Sequence, residues 1–442
     1  MQKPHRIGPL FTDLYELTMA AAYFQNNVQA KATFSLFVRP NENRNFYVAA
    51  GLETALDELS AFDFTDIACD YLKKTNLFSD NFIQFLSQFR FRGDVVAMPE
   101  GTVFFGDEPV MEITAPIIEA QLVETLLLNI LGSNTLFATK GARCLHVSQG
   151  CPLVDFSLRR TQGQDAGLRV ARSTYITGFA ATSNVQAGKV FGIPVSGTMA
   201  HSYVSTFENE IDAFRAYADV FPDDVVFLID TYETIAGAQK AARVGQEMNQ
   251  QGHMLKGVRL DSGDLVALSK QVREILDAAG LANALIFASG GLDEFEIEKL
   301  LKKGARIDAF GVGTAVGTSA DAPNLDIVYK LVRFNNRNIR KLSPGKQTLA
   351  GEKQVFRKLD AQGIMSVDTI GLRDESIADS QPLLAPVMRR GELVQDHPRL
   401  RDIQKNFKLN FNALGDRYKS IHESHRFPVC LSEKLKQVQE VQ

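Results

Sequence analysis

The sequence predicts an α/β protein in which a barrel of parallel strands occupies the middle of the chain. Two observations carry that prediction. Between residues 154 and 312, short apolar runs alternate with amphipathic helical stretches, and Gly marks most of the connections. Before that region, and after Tyr329, the alternation is missing. Strand–helix alternation with short connections specifies a parallel sheet with right-handed crossovers. About six such units in roughly 190 residues suit an irregular (β/α) barrel better than an open sheet. The pattern gives segments 1–140, 141–340 and 341–442, with the two end segments packing together.

Each element has its own signal. In the first segment, the spacing predicts a helix over 13–24, a strand over 32–38, a helix from near Gly51, and apolar helical spacing over 120–131. The middle opens with a strand at 154–158 and a helix from Asp165. A strand at 193–197 then leads through Thr198 and His201 into a helix near Ser205, where Ser205 and Glu208 have capping-box spacing. Strands at 225–229, 255–260, 284–288 and 307–312 alternate with helices over 232–249, 265–279 and 293–304. Residues 334–353 are basic and turn-rich, carrying Arg337, Arg340, Lys341, Pro344, Gly345, Lys346 and Lys353, and a helix falls near 431–438.

Composition excludes several classes. The 442 residues hold 48 basic and 52 acidic side chains, a net charge of −4 that argues against a nucleic-acid or polybasic membrane binder. Hydrophobic residues at 45% and charged residues at 23% fit a globular chain. Cys69, Cys144, Cys151 and Cys430 form no C-x-x-C pair, so free thiols are expected and neither a disulfide framework nor a zinc ribbon. Lys3 and Arg6 precede no apolar stretch, Asp13 and Glu16 interrupt any signal-like core, and no run approaches a membrane span. The expectation is a cytoplasmic protein without membrane or nucleic-acid partners and without a resident metal. The thirty Phe have no evident functional meaning.

Polar residues recur where the predicted strands end: Arg159 and Arg160, His201, Asp230, Arg259 with Asp261, Ser289 with Gly290 and Gly291, and Gly311 with Gly313 and Thr314. In a parallel barrel those ends converge on one face, where active sites form. Singly, each has an ordinary reading: Asp230 as a helix cap, Arg259 with Asp261 as an ion pair, His201 as a packed or surface histidine. The Ser289–Gly290 and Gly313–Thr314 loops suit phosphate, which needs close backbone approach and N–H donors; tight turns without a ligand remain the alternative. No G-x-x-x-x-G-K-[ST] or G-x-G-x-x-G is present.

Five motifs in one order carry a resemblance. They are Thr12-Asp13-Leu14-Tyr15-Glu16-Leu17-Thr18-Met19, Asp155-Phe156-Ser157-Leu158-Arg159-Arg160, Gly197-Thr198-Met199-Ala200-His201-Ser202, Arg259-Leu260-Asp261-Ser262-Gly263-Asp264-Leu265 and Phe310-Gly311-Val312-Gly313-Thr314. Over most of its length the chain resembles the nicotinate phosphoribosyltransferase family of NAD salvage. The resemblance implies a homodimer of a type II phosphoribosyltransferase-like barrel, with a flanking α+β domain built from both chain ends and active sites shared between subunits. It implies that Tyr15 from the neighbouring subunit and Phe156 stack on the pyridine ring. Arg259, with Thr198 and Arg159, would hold the nicotinate carboxylate. Ser289, Gly290, Gly313 and Thr314 would carry the ribose 5-phosphate, and Asp261 the ribose hydroxyls. Arg39 and the basic 337–353 segment would meet the pyrophosphate, with Mg2+ carried on the pyrophosphate or on ATP. His201 matches a phosphohistidine that couples ATP hydrolysis to synthesis, with Asp230 orienting its ring. Asn184 stands where nicotinamide-using relatives carry an acid, which favours the carboxylate substrate. Ala350 stands where the family often has Pro.

The expected activity is therefore an ATP-coupled, ligase-type transfer joining nicotinate to 5-phosphoribosyl 1-pyrophosphate. A phosphosugar isomerase or aldolase would want a Lys or Glu at a strand end, and none is there. A catalytically inactive sensor and a nicotinamide-specific enzyme are the other readings.

Overall fold

The structure is a computed structural model that describes residues 7–341, 343 and 348–440. Lys3, Arg6, Pro344, Gly345 and Lys346 of the sequence reading therefore lie outside the described residues. The chain forms two units, one spanning Lys140–Asp321 and the other built from residues up to Thr139 and from Ala322 onward.

In the Lys140–Asp321 unit the short apolar runs become a six-stranded parallel sheet among the described residues. Its order is Ala181–Thr182, Leu153–Asp155, Ala309–Val312, Leu285–Ala288, Gly257–Leu260, Val226–Leu228. The last strand of this unit thus lies beside its first, with Phe310 opposite Leu153 and Val312 opposite Asp155, giving a parallel half-barrel whose edges among the described residues are Ala181–Thr182 and Val226–Leu228. The strand expected at 193–197 contracts to one bridge, Val195 opposite Thr182. Pro194 has no N–H to give a ladder, and only its carbonyl is used, accepting from Thr182 N at 3.0 Å. Carboxylates open three of the helices: Glu233 caps Thr234–Gln250, Asp264 caps Leu265–Ala278 and Asp293 caps Glu294–Lys302. Each cap contributes about 1 kcal/mol to its helix.

The capping box expected at Ser205 is absent. Ser205 instead ends the short helix His201–Val204, its hydroxyl bonded back to the His201 carbonyl at 2.9 Å, and the next helix, Glu210–Val220, begins after Asn209. A hydroxyl that satisfies the i−4 carbonyl is not free to cap the turn that follows.

The other unit is α+β and drawn from both chain ends. Its seven-stranded sheet pairs Lys31–Val38 antiparallel with Pro109–Pro116 on one side and Ile327–Phe334 on the other. The chain therefore rejoins this unit at Ala322, earlier than the 340 expected from the end of the barrel cadence. Ile327–Phe334 is mostly apolar, with Val328, Tyr329 and Val332 buried, so in sequence it reads like one more short strand of the barrel. A second sheet orders Ser380–Pro382, Lys353–Leu359, Met365–Leu372 and Val429–Leu431. The abundant Phe fill this core: Phe62, Phe64 and Phe89 meet edge to face with centroids 5.8 to 6.0 Å apart.

One exclusion is corrected. The helical run Ile117–Val147 is long and apolar enough to cross a membrane by length and composition, with 31 residues. Of its most apolar window 78% is buried, as in a core helix.

Candidate active site

Within the Lys140–Asp321 unit, four strand ends bring their polar residues together. Arg259 lies on Gly257–Leu260 and is buried. Its Nη2 donates to the Met199 carbonyl at 2.9 Å and its Nη1 to Ser289 Oγ at 3.2 Å, with Asp261 Oδ1 farther off at 3.4 Å. Burial pushes the guanidinium's pKa down, while Asp261 and Asp230 pull it back up and Arg159 lowers it further. Its Nε is buried and has no hydrogen-bond partner among the described residues. The Thr198 hydroxyl donates to the same Met199 carbonyl at 3.2 Å, so Thr198 and Arg259 share one acceptor.

Asp261 accepts from the Ser289 hydroxyl, and its backbone N–H donates to Asp230 Oδ2 at 2.9 Å. The loop after Leu285–Ala288 is pressed against this one: Gly290 has φ of 91°, and a Cβ there would lie 1.9 Å from the Asp261 carbonyl oxygen. Only Gly fits that position. Phe156 extends its strand through a bond from its N–H to the Val312 carbonyl at 2.8 Å and lies 5.6 Å from Phe287, ring to ring. Gly311, one of the residues noted at the strand ends, is buried in its strand, and its missing side chain makes room for the Phe156 ring. Gly313 and Thr314 open the helix Thr314–Thr318, and Arg159 is exposed on the 3-10 turn Leu158–Arg160.

The expectation for Asp230 is corrected. Its carboxylate does not meet the imidazole of His201. It accepts from Asp261 N and from Ser262 Oγ at 2.7 Å, and its Oδ1 is buried without a partner among the described residues. Thr231 bonds the ring instead, with His201 Nδ1 3.1 Å from Thr231 Oγ1. The turn after Val226–Leu228 sends residue 230 toward the neighbouring strand end and residue 231 toward His201. Asn184 caps the helix Val185–Phe191, its Oδ1 accepting from Ala187 N at 3.1 Å and its Nδ2 donating to the Gly167 carbonyl at 3.2 Å.

The sequence missed Thr231, the Met199 carbonyl and Asp155. Asp155 is fully buried and fixes the turn that presents Phe156, accepting from Ser157 N at 2.9 Å and Thr182 Oγ1 at 2.7 Å. Thr231 was findable as a second polar residue at a strand end. A backbone carbonyl leaves no trace in residue type.

Tyr15 and Arg39 belong to the other unit. Tyr15 is exposed on the helix Leu14–Gln25, with its hydroxyl bonded to Glu124. Partial burial and then the Glu124 and Glu16 carboxylates push its pKa up. Arg39 follows the strand Lys31–Val38 and grips Asp326 with bonds of 2.9 and 3.1 Å. With Ser35, Asp107, Thr348 and Lys353 it lines a cavity of about 550 Å³. The Lys353 ammonium already serves the Gly351 carbonyl at 2.7 Å, Glu112 at 3.1 Å and the Leu349 carbonyl at 3.2 Å. At Ala350, Gln439 clamps both backbone groups, at 2.9 Å to the N–H and 3.1 Å to the carbonyl.

This fold, with polar loops at the strand ends, defines an α/β protein of the type II phosphoribosyltransferase class. Profiles of the nicotinate phosphoribosyltransferase N-terminal domain, family core and C-terminal domain match residues 10–132, 151–360 and 377–439. Nicotinate phosphoribosyltransferase pncB2 of Mycobacterium tuberculosis is 42% identical over 97% of this chain and 92% of its own length. The nicotinate phosphoribosyltransferase of Bacillus subtilis is 40% identical over 98% and 95%. The crystal structure of human nicotinic acid phosphoribosyltransferase superposes with a TM-score of 0.87 at 27% identity, covering 98% of this chain and all of that one. The chain belongs to the nicotinate phosphoribosyltransferase family.

Proposed function

We propose that the chain joins nicotinate to 5-phosphoribosyl 1-pyrophosphate, giving nicotinate mononucleotide and pyrophosphate in NAD salvage. The observation that carries this reading is Arg259: a buried cation at the strand ends, 3.4 Å from its nearest carboxylate and with one donor unpartnered. A buried polar group without a partner calls for a ligand, and a guanidinium matches a carboxylate. Thr198 and Arg159 would complete that pocket, with Phe156 against one face of the pyridine ring.

The pyridine nitrogen attacks C1 of the ribose with its own lone pair, and the C1–O bond breaks as pyrophosphate leaves with the bonding electrons. No strong base is needed. Asp261 would accept from the ribose hydroxyls and offer negative charge beside the cationic transition state. Ser289, Gly290, Gly313 and Thr314 would hold the 5-phosphate. Positioning these groups supplies most of the rate enhancement in such a reaction.

ATP coupling runs through His201: the γ-phosphoryl moves to the imidazole, ADP leaves, and water later cleaves the phosphorus–nitrogen bond. Mg2+ would arrive on the pyrophosphate or on ATP, as part of the substrate. The active unit would be a cytoplasmic homodimer, the partner subunit's Tyr15 closing the other face of the ring. Arg39 would reach pyrophosphate, since its pair with the exposed Asp326 is worth about 1 kcal/mol or less and is readily exchanged. Lys353 contributes less, because its donors are already used.

The test is product formation from 5-phosphoribosyl 1-pyrophosphate with nicotinate or nicotinamide, each with and without ATP. Nicotinate mononucleotide formed faster with ATP supports the whole reading. Product from nicotinamide alone sinks the role of Arg259, and no product from either base sinks the activity.

A further inference from the structure

We infer that Thr231 is the positioning residue of His201, and that Asp230, its neighbour in sequence, serves Asp261 instead. The inference rests on the proposed phosphorylation of His201. An exposed imidazole turns freely about two side-chain bonds, so phosphoryl transfer to it needs a contact that fixes the ring. Thr231 Oγ1, 3.1 Å from His201 Nδ1, is that contact. A second bond, from the Ser205 hydroxyl to the His201 carbonyl at 2.9 Å, holds the short helix that carries the histidine.

The adjacent carboxylate is engaged elsewhere. Asp230 Oδ2 takes both the Asp261 N–H and the Ser262 hydroxyl, and so sets the loop that carries Asp261. One dipeptide at the end of Val226–Leu228 thereby serves two sites: residue 230 the ribose side and residue 231 the phosphoryl side. The division predicts separable defects. Loss of the Thr231 hydroxyl should slow phosphoryl transfer from ATP, and loss of the Asp230 carboxylate should weaken use of 5-phosphoribosyl 1-pyrophosphate.

The experiment compares the full-length protein with its Thr231→Val, Thr231→Ser and Asp230→Asn variants. Two quantities are followed: acid-labile phosphate transferred from γ-labelled ATP, and the His201 ring nitrogen signals in a histidine-labelled sample, assigned by their loss in His201→Asn. Thr231→Val should slow phosphorylation by about tenfold or more with little change in the KM for ATP, as expected of lost positioning rather than lost binding. Its ring tautomer balance should shift, and Thr231→Ser should restore both that balance and the rate. Asp230→Asn should leave the ring signals in place and raise the KM for 5-phosphoribosyl 1-pyrophosphate. Phosphorylation of Thr231→Val at the normal rate, or unshifted ring signals, overturns the role of Thr231. Parent protein that takes no phosphate from ATP overturns the reading of His201 itself, and the ring signals then still decide whether Thr231 orients it.

Discussion

Arg259 hydrogen-bonds Ser289, the Met199 carbonyl and, at 3.4 Å, Asp261, and keeps its Nε without a partner among the described residues. Arg259→Lys retains the charge but has one ammonium for what was a planar fork. Losing one charge-assisted bond of about 1.5 to 3 kcal/mol should raise the KM for nicotinate by about tenfold to a hundredfold, read from initial rates. Asn184 shows how residue type alone misleads. Its neutral side chain suggests a carboxylate substrate, yet both ends of its amide are engaged in capping and in holding Gly167. Asn184→Asp keeps the cap but leaves the Gly167 carbonyl without its donor. It should lower stability by about 1 to 2 kcal/mol in thermal denaturation and give no gain in nicotinamide use. At Ala350 the absence of Pro is no loosening, because Gln439 holds an N–H that Pro lacks.

At the scale of elements, Lys353–Leu359 and Met365–Leu372 bury Arg357 and Asp368 with Glu108 nearby. Arg357 grips Asp368 through Nε at 3.0 Å and through Nη2, and donates to the Val103 carbonyl at 2.7 Å. Glu108 Oε2 accepts from Phe105 N at 2.9 Å, while Oε1 is buried near the Asp368 carboxylate with no donor among the described residues. A proton on Glu108 resolves this. Burial first, then Asp368, raises its pKa well above the usual carboxylate range despite Arg357. In the unfolded chain that carboxyl titrates near about 4.3. Above that pH only the unfolded state releases the proton, so stability from this group is present below the unfolded pKa and is lost toward the folded pKa, by about 1.4 kcal/mol per pH unit. Glu108→Gln, which can donate without titrating, should therefore gain on the parent protein between pH 5 and pH 8 in urea unfolding. An equal difference at both pH values would count against the shared proton.

Most barrel strands were legible as short apolar runs beside a Gly or a capping acid, a local signal, but Ala181–Thr182 was not read at all, because two residues are too short a run to show. The strand at 193–197 was not, since its failure depends on one missing N–H at Pro194 within a pairing that the sequence does not display. The meeting of Arg259, Asp261 and Ser289 could be foreseen from strand ends, whereas Thr198 entered the site only through the resemblance. The turn that swaps the roles of Asp230 and Thr231 is a matter of backbone direction, which residue type does not encode.

At the scale of the whole molecule, one unit is interrupted by the other. The chain leaves the α+β unit after Thr139 and rejoins it at Ala322. A fragment ending at Asp321 would lack Ile327–Phe334 and Ala385–Arg389, leaving Lys31–Val38 and Asp94–Ala97 each with an open edge. Open apolar edges template aggregation, so light scattering should find that fragment aggregated where the full chain is not. The same interruption bears on synthesis. At ribosomal speeds, roughly three hundred residues separate the emergence of Lys31–Val38 from that of its second neighbour, a delay of about 15 to 60 s. Through that interval the nascent sheet has the Lys31–Val38 edge unpaired while the barrel behind it is still being translated.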